Sequence, residues 1–389
     1  MDKKIRLGLT LFFSNATNSG IVNYIYNIVS ALHTLPVAQQ PELVVFHTED
    51  APIDYIGSIG YKNICFIPFE PYPANKLFNF TNKVIRKLTG INIYYRLKYL
   101  HRIDVLYPYF EFMYGGFGKG KHGIHWLVDF NNRAFPDYYS DKGKDATDFQ
   151  VALTSRPDHI VLSSYALLGE LKHYYPGYRN KVSILRFACS LPDISAIDFA
   201  SLQQKYQLHT DFFMSPNQFW EHKNQLVLIE ALNIVKKAGK LNFKIVFTGS
   251  TKVHRGKGHI LEKLLSLAKQ YQLEENIVFL GLIDRNEQLV LMKNANALIQ
   301  PSLYEGWSTL VEEAKALNQH IILSDLPVHR EQNCLNSYFF DPHNPEELAQ
   351  KIIYIMEKRP VPVQINYADN IHQFGADMLQ VLNNELQKN

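Results

Sequence analysis

The stretch ALIQPSLYEGWSTLVEEAKAL, residues 297–317, changes period along its length, and that change sets the fold class. Ala297 to Gln300 is a short apolar run that reads as a strand, and a helix starts near Ser308 after a loop. In an open parallel sheet, ligands bind beyond the carboxyl ends of the strands, where helix N-termini point at them. The amides of Ser308, Thr309 and Leu310 would then form a phosphate site, aided by the helix dipole. Glu305 sits on the loop, and Glu313 lies one to two turns inside the helix, positioned for the same cleft. Ionised carboxylates only accept hydrogen bonds, which suits the hydroxyls of a sugar and a ribose. An ordinary helix with glutamates in its first turns is the plain alternative.

Outward from this stretch the same alternation repeats. Further strands are expected at 211–214, 243–247, 277–280, 320–323 and 338–340, with helices at 224–238, 259–272, 286–294 and 345–357 between them. Asp284 and the run Asn344-Pro345-Glu346-Glu347 are helix-start signals. In the first half, apolar runs fall at 5–13, 43–46, 64–67, 103–107, 124–128 and 159–162, and Ile21, Ile25, Ile28, Val29 and Leu32 have helical spacing. Short apolar runs separated by helices predict parallel sheets with crossover helices. The reading is α/β: two Rossmann-like doubly wound domains facing a cleft, residues 1–195 and 206–365, with the boundary inside 188–210. After Pro360-Val361-Pro362, residues 366–389 read as a closing helix carrying Ile371, Phe374, Met378, Val381 and Leu382 on one stripe.

Composition narrows the function. Of 389 residues 46% are hydrophobic and 20% charged, which excludes a disordered or fibrous chain. Lys plus Arg is 40 against 37 for Asp plus Glu, so no global nucleic-acid footprint exists and no nucleic-acid partner is expected. Cys65, Cys189 and Cys334 form no CxxC pair, which suits a reducing cytosol. The N-terminus reads as a first strand rather than a signal peptide, and no run approaches a membrane span. A cytoplasmic location follows as the expectation.

The motif PSLYEGWSTLVEEA resembles the signature of the family-four retaining glycosyltransferases, the glycosyl transferases group 1: a strand, then PS, then EG, then glutamates in E-x7-E spacing. The resemblance continues through SPNQFWEHKNQLVLIEAL, IVFLGLIDRNEQLVLMKNANALIQPS and FFDPHNPEELAQKI, ordered motifs across roughly 150 residues. It covers the N-terminal half only weakly. It implies the GT-B arrangement, in which two Rossmann-like domains clamp a nucleotide-diphosphate sugar.

By that resemblance Glu313 accepts from the donor's ribose, Glu305 faces the donor sugar or its phosphates, and the amides of Ser308, Thr309 and Leu310 hold the diphosphate. Lys223 matches the lysine that contacts the diphosphate, a task suited to a point charge. Asn217 and Gln218 fall on the same donor side, but Gln218 stands where the family usually has arginine. Trp307 replaces the more common Phe, Gly249 ends a strand at the cleft, and Leu282 and Ile283 match the segment against the base. No cofactor and no metal site are implied, the nucleotide-sugar being a substrate.

In the N-terminal half, Asn18-Ser19-Gly20, just before the first helix, loosely resembles the family's glycine-rich loop, which by that resemblance approaches phosphates and acceptor through the bare backbone of Gly20; a plain strand–helix turn is equally compatible. A strand ends at Asp129, where a carboxylate at the cleft would orient the acceptor hydroxyl or take its proton, unless it serves as a helix or turn cap. Residues 115–121, GGFGKGK, match GxxxxGK, but His122 replaces the required Ser or Thr, so a nucleoside-triphosphate loop is rejected. Residues 71–103 carry Lys76, Lys83, Arg86, Lys87, Arg96, Lys98 and Arg102 with no acid, interleaved with apolar side chains. That pairing suits peripheral contact with an anionic membrane or a solvated helix packed on its own domain.

The resulting expectation is a retaining, metal-independent hexosyltransferase. It moves a hexose from a nucleotide-diphosphate sugar, UDP first among the carriers, to a saccharide or lipid-linked acceptor in bacterial polysaccharide or envelope glycan synthesis. Asp129, Lys223 and Glu305 are the catalytic candidates. The alternatives are a nucleotide-sugar epimerase of the same architecture and a catalytically silent nucleotide-sugar-binding subunit.

Overall fold

The computed structural model describes residues 4–12, 15–70, 76–89, 92–109, 122–139, 141–250 and 260–387. The glycine-rich run 115–121 and residues 71–75 and 90–91 of the basic stretch lie outside them. Strands β1 (Arg6–Leu11), β2 (Glu42–His47), β3 (Ile64–Pro68), β4 (Val105–Tyr109), β5 (His122–Trp126), β6 (His159–Leu162) and β7 (Lys181–Ile184) form one sheet in the order β3-β2-β1-β4-β5-β6-β7. Strands β8 (Phe212–Pro216), β9 (Lys244–Thr248), β10 (Ile277–Phe279), β11 (Leu298–Gln300), β12 (Ile321–Ser324) and β13 (Ser337–Phe340) form a second, ordered β10-β9-β8-β11-β12-β13. Every described pairing is parallel.

Both sheets start in the middle, wind to one edge, return past the first strand and wind to the other. The order therefore reverses between β1 and β4 and between β8 and β11, and a crevice opens at each reversal. Helices cover both faces, so central strands are buried on both sides and lose the alternation of a half-exposed strand. Leu7, Leu9 and Leu11 are buried, as are Phe213, Ile245, Phe247 and Ile322. The edge strand β7 escapes the sequence reading because its four residues, KVSI, are all only partly buried and give no apolar run.

The first helix runs Asn15–His33, which corrects the reading of Gly20 as a residue before it. Its opening residues, NATNSG, are small or polar, so the apolar period becomes visible only at Ile21. Gly20 is exposed inside the helix, and a Cβ there would meet nothing within 4 Å.

The last helix, Ala368–Leu386, lies on the first domain beside Asn15–His33. Phe374, Met378, Val381 and Leu382 join the first domain's core, and Gly375 sits where a Cβ would run into the Ala31 carbonyl. His159 Nδ1 and Glu385 Oε2 meet at 2.9 Å inside this contact. The chain thus closes back over the domain in which it began.

Candidate active site

The loops after β8 and β11 meet at the second reversal of strand order. Asn224 joins them, its Nδ2 donating to the Pro301 carbonyl at 3.0 Å. Beneath lies a polar chain: Asn217 Nδ2 donates to Gln300 Oε1 at 2.8 Å, and Gln300 Nε2 donates to Glu305 Oε1 at 2.5 Å. Ser302 Oγ and Lys223 Nζ reach the same Glu305 oxygen at 2.7 and 2.6 Å. Burial pushes the Glu305 carboxyl up, but Lys223 outweighs it and the group stays below its ordinary range. Glu305 is therefore a fixed anion that holds Lys223 in the cleft. An ammonium has three donors, and Glu305 is the one described side chain that Lys223 Nζ bonds, so donors remain for a ligand.

The helix Thr309–Ala316 begins as the sequence indicates, with Ser308 as its cap. Two of the orphan amides are already used. Ser308 Oγ accepts from the Val311 amide, and the Ser308 amide donates to Gln332 Oε1 at 3.2 Å. This corrects the phosphate site: Ser308 offers no free amide, whereas those of Thr309 and Leu310 have no described partner. The adjacent glutamates divide the work. Glu312 is enclosed by Lys315 Nζ, Gln332 Nε2 and Tyr367 Oη, at 3.1, 2.9 and 2.6 Å. Glu313, one position on, pairs instead with Arg285 Nη2. Burial lowers the Arg285 pKa, but Glu313 raises it further and keeps the guanidinium charged. Tyr55, from the first domain, lies close enough to both to feel their charges.

Gly249 has φ of +142°, and a Cβ there would fall 2.5 Å from the Asn217 carbonyl, so only glycine lets the β8 and β9 loops touch. Gln218 Oε1 accepts from the Ser250 amide at 2.9 Å. Leu282 is 71% exposed on the loop after β10, while Ile283 packs partly into the core. Trp307 turns away from the donor loops: its Nε1 donates to the Phe187 carbonyl at 3.0 Å and its ring packs on the first domain's core.

Opposite, the loop after β5 presents Asp129, whose carboxylate accepts from the Asn131 amide at 3.1 Å. Burial raises its pKa, the Asn131 amide and Lys223 oppose this, and Glu305 adds to it. The β11 loop reaches this rim directly. A Cβ on Gly306 would strike the Val128 carbonyl and come within 3.1 Å of Asp129 Cβ. Tyr304 Oη accepts from the Phe130 amide at 2.8 Å and donates to Glu170 Oε2 at 2.6 Å. Ser164 Oγ donates to the Gly306 carbonyl at 3.0 Å, and Glu331 accepts from the amides of Tyr165 and Ala166 at 2.9 and 3.1 Å. Asn131 Nδ2 lies 3.3 Å from His222 Nδ1; burial and Lys223 lower the His222 pKa to about 4, leaving the ring a neutral acceptor. The cleft is closed around Asp129, Lys223 and Glu305.

Sequence reasoning missed Gln300, Ser302, Arg285, His222 and Tyr304. Gln300 and Ser302 carried a local signal, polar residues where an apolar strand meets a functional loop. Arg285 had none, since only folding brings it to Glu313. His329 is fully buried, its Nδ1 bonded to the Ser324 carbonyl at 2.8 Å and its Nε2 without a partner among the described residues.

Comparison with known proteins adds to this geometry. Residues 200–372 match the model of glycosyl transferases group 1. The chain is 24% identical over 228 residues to the O-antigen chain mannosyltransferase RfbU of Salmonella typhimurium, covering 58% of this chain and 59% of that protein. It is 28% identical over 174 residues to the capsular polysaccharide biosynthesis glycosyltransferase CapH of Staphylococcus aureus, 44% of this chain and 46% of that one. The matches thus span about half the length of these relatives. Among solved structures, Anabaena Alr3699/HepE in complex with UDP aligns with TM-score 0.61 at 15% identity over 98% of both chains. WaaG, a glycosyltransferase involved in lipopolysaccharide biosynthesis, aligns with TM-score 0.58 at 15% identity over 95% of both. These likenesses carry the two-domain fold and nothing finer.

Proposed function

We propose, from the premise that the chain belongs to the glycosyl transferases group 1 family, that it transfers a hexose from a nucleotide-diphosphate sugar to a saccharide or lipid-linked acceptor. One observation carries this reading: the buried Glu305, on the loop that leads into a helix whose Thr309 and Leu310 amides have no described partner, fixes Lys223 at the β8/β11 crevice. Cations and amides there would hold a diphosphate and stabilise the charge that grows on it as its bond to the sugar breaks. Glu313, freed from Arg285 or shared with it, would accept from ribose hydroxyls. Glu305 would orient Lys223 and the donor sugar.

The transfer is read as retaining and metal-independent. The bond from the sugar's anomeric carbon to the diphosphate breaks, the acceptor oxygen bonds that carbon on the same face, and the acceptor proton passes to the departing phosphate or to Asp129. Fixing the acceptor on that face is a matter of positioning. UDP is the nucleotide to test first. The names of RfbU and CapH support a bacterial surface polysaccharide as the product. A nucleotide-binding subunit without turnover is the second reading, favoured by the uncharged Gln218 tied to Ser250.

Calorimetry with a panel of nucleoside diphosphates, followed by assay of nucleotide release from nucleotide-sugars with and without acceptor, tests this. Acceptor-dependent release is the expected outcome. Interconversion of sugars without release would mean an epimerase, and binding without either reaction a silent subunit.

A further inference from the structure

We propose that Trp220, Phe135 and Tyr138 form an aromatic wall at the seam of the two domains on which an uncharged acceptor saccharide stacks. The inference deepens the transferase reading and rests on it for the place of the reacting hydroxyl, at Asp129. Local sequence builds the first-domain half of the wall. After Asp129 the chain makes a single helical turn, Asn131–Ala134, and then a 3₁₀ turn, Pro136–Tyr138. The Phe135 amide donates to the Asn131 carbonyl at 2.8 Å, and the Tyr138 amide donates to the Phe135 carbonyl at 3.1 Å. Side chains three apart in a 3₁₀ turn eclipse one another. Phe135 and Tyr138 accordingly stack, with centroids 4.9 Å apart and planes 4° from parallel, and both stay half-buried.

The second domain supplies the rest. Tyr304, on the β11 loop, meets Phe135 edge-on at 6.3 Å. Trp220, on the β8 loop, lies 5.6 Å from the ring of His222, the residue that meets Asn131. Glu221, between Trp220 and His222, comes near Tyr138: burial raises the Tyr138 pKa and the Glu221 charge adds to it. Trp220 still exposes 41% of its surface, so its ring is open to a ligand rather than used up in closing the domains.

The polar atoms beside these rings say what would lie on them. Asn131 is 7% exposed, yet its Oδ1 has no partner among the described residues. Asp129 accepts from one described donor, the Asn131 amide. Arg133, the cation of this segment, is already seated over the rings of Tyr174 and Tyr175, at 5.3 and 5.8 Å. The rim is thus short of donors, and its ligand must bring them. A sugar ring does so with hydroxyls around its edge while laying a face of C–H groups on an aromatic ring. An alkyl chain would leave Asn131 Oδ1 buried and unpaired. A phosphate would set acceptors and negative charge against Asp129 and Glu221.

Trp126 and Trp307 pack on the first domain's core, their Nε1 atoms bonded to Ser163 and Phe187, so a ligand on the wall should change the emission of Trp220. The test titrates the full chain with mannobiose, maltotriose, lactose and chitotriose, and separately with farnesyl phosphate, following tryptophan emission and saturation-transfer NMR. Binding of one or more of the saccharides, with a change in emission and no response to farnesyl phosphate, is expected. Trp220→Ala should weaken saccharide binding at least about tenfold through the lost aromatic face. Trp220→Phe should keep binding while abolishing the emission change. Circular dichroism and nucleotide affinity should stay at wild-type values in both variants, since Trp220 is exposed. The proposal is overturned if none of the saccharides binds, or if Trp220→Ala binds them as wild type does. A response to farnesyl phosphate alone would overturn it too, because a lipid carrier would then occupy the wall. If saccharide binding behaves as expected while no nucleotide binds, the transferase reading falls and the wall stands; nucleotide binding without saccharide binding does the reverse.

Discussion

Asp129 and Glu305 follow neighbouring features of the two domains, one after β5 and one after β11, and they face each other across the cleft. Burial pushes both carboxyls up, yet they end on opposite sides of their ordinary values. Glu305 has three donors on one oxygen, including an ammonium, and is held low. Asp129 has one backbone amide and a facing anion, and is raised. Burial sets the direction for Asp129, whose partners fail to offset it, whereas at Glu305 the ammonium partner outweighs the same burial. One rim of the cleft is a fixed electrostatic frame, the other a carboxylate able to exchange a proton.

The largest effect should come from removing the cation that makes the difference. Lys223→Ala strips the frame of its charge and leaves Glu305 buried with neutral donors only. Removing a preorganised donor to developing charge lowers turnover by about 10²–10³ in comparable sites. Steady-state kinetics should show the loss in kcat more than in KM, since in the proposed reaction charge on the departing phosphate grows in the transition state. A variant with wild-type kcat would reduce Lys223 to a structural partner of Glu305.

Glu313→Ala should act next in size and differently. On the proposed reading, unpairing ribose hydroxyls from this buried acceptor should weaken nucleotide binding by about 1–3 kcal/mol, measurable by calorimetry, with a smaller loss of turnover than at Lys223. Unchanged affinity would mean that Arg285 keeps Glu313 to itself. This pair also shows where sequence reading stops. The strand and helix alternation was legible because two-sided burial forces continuous apolar runs, and the E-x7-E spacing singled out Glu313 over Glu312. The position of Arg285, 28 residues earlier, was not, because its side chain meets Glu313 only through tertiary packing. Gly20 misled for a local reason: a helix whose first turn is polar hides its start from any reading of apolar period.

Tyr304→Phe probes whether the rims are held together from the donor side. The hydroxyl bridges the Phe130 amide and Glu170, so its loss leaves a buried amide unpaired and removes a donor from a carboxyl already raised by burial. About 1–2 kcal/mol of closure should be lost. Small-angle scattering should show a more open average shape, and KM should rise with each domain's melting unchanged. Retention of wild-type KM and shape would assign closure to Glu331 and Ser164 instead.

The smallest effect is the sharpest test of the contrast, because its sign is opposite for the two carboxylates. The native Asp129 carboxyl keeps its proton to higher pH than the unfolded chain's does. Its contribution to stability is full below the ordinary carboxylate value and is lost as pH rises through the raised native one. At neutral pH the ionised group is thus a penalty, and Asp129→Asn, whose amide carbonyl still accepts from Asn131, should relieve it. A gain near 1 kcal/mol would raise the melting point of a domain this size by about 2–4 °C. That gain should shrink as pH falls below the ordinary range, where wild type is protonated too. Glu305→Gln should do the reverse: Glu305, held low, stabilises above the ordinary carboxylate value, so the variant melts lower at neutral pH and the difference narrows in acid. If both substitutions shift melting in the same direction at neutral pH, the partner-based account of the two rims fails. If Asp129→Asn alone gains stability while losing transfer activity, the raised carboxylate is being kept for the reaction rather than for the fold.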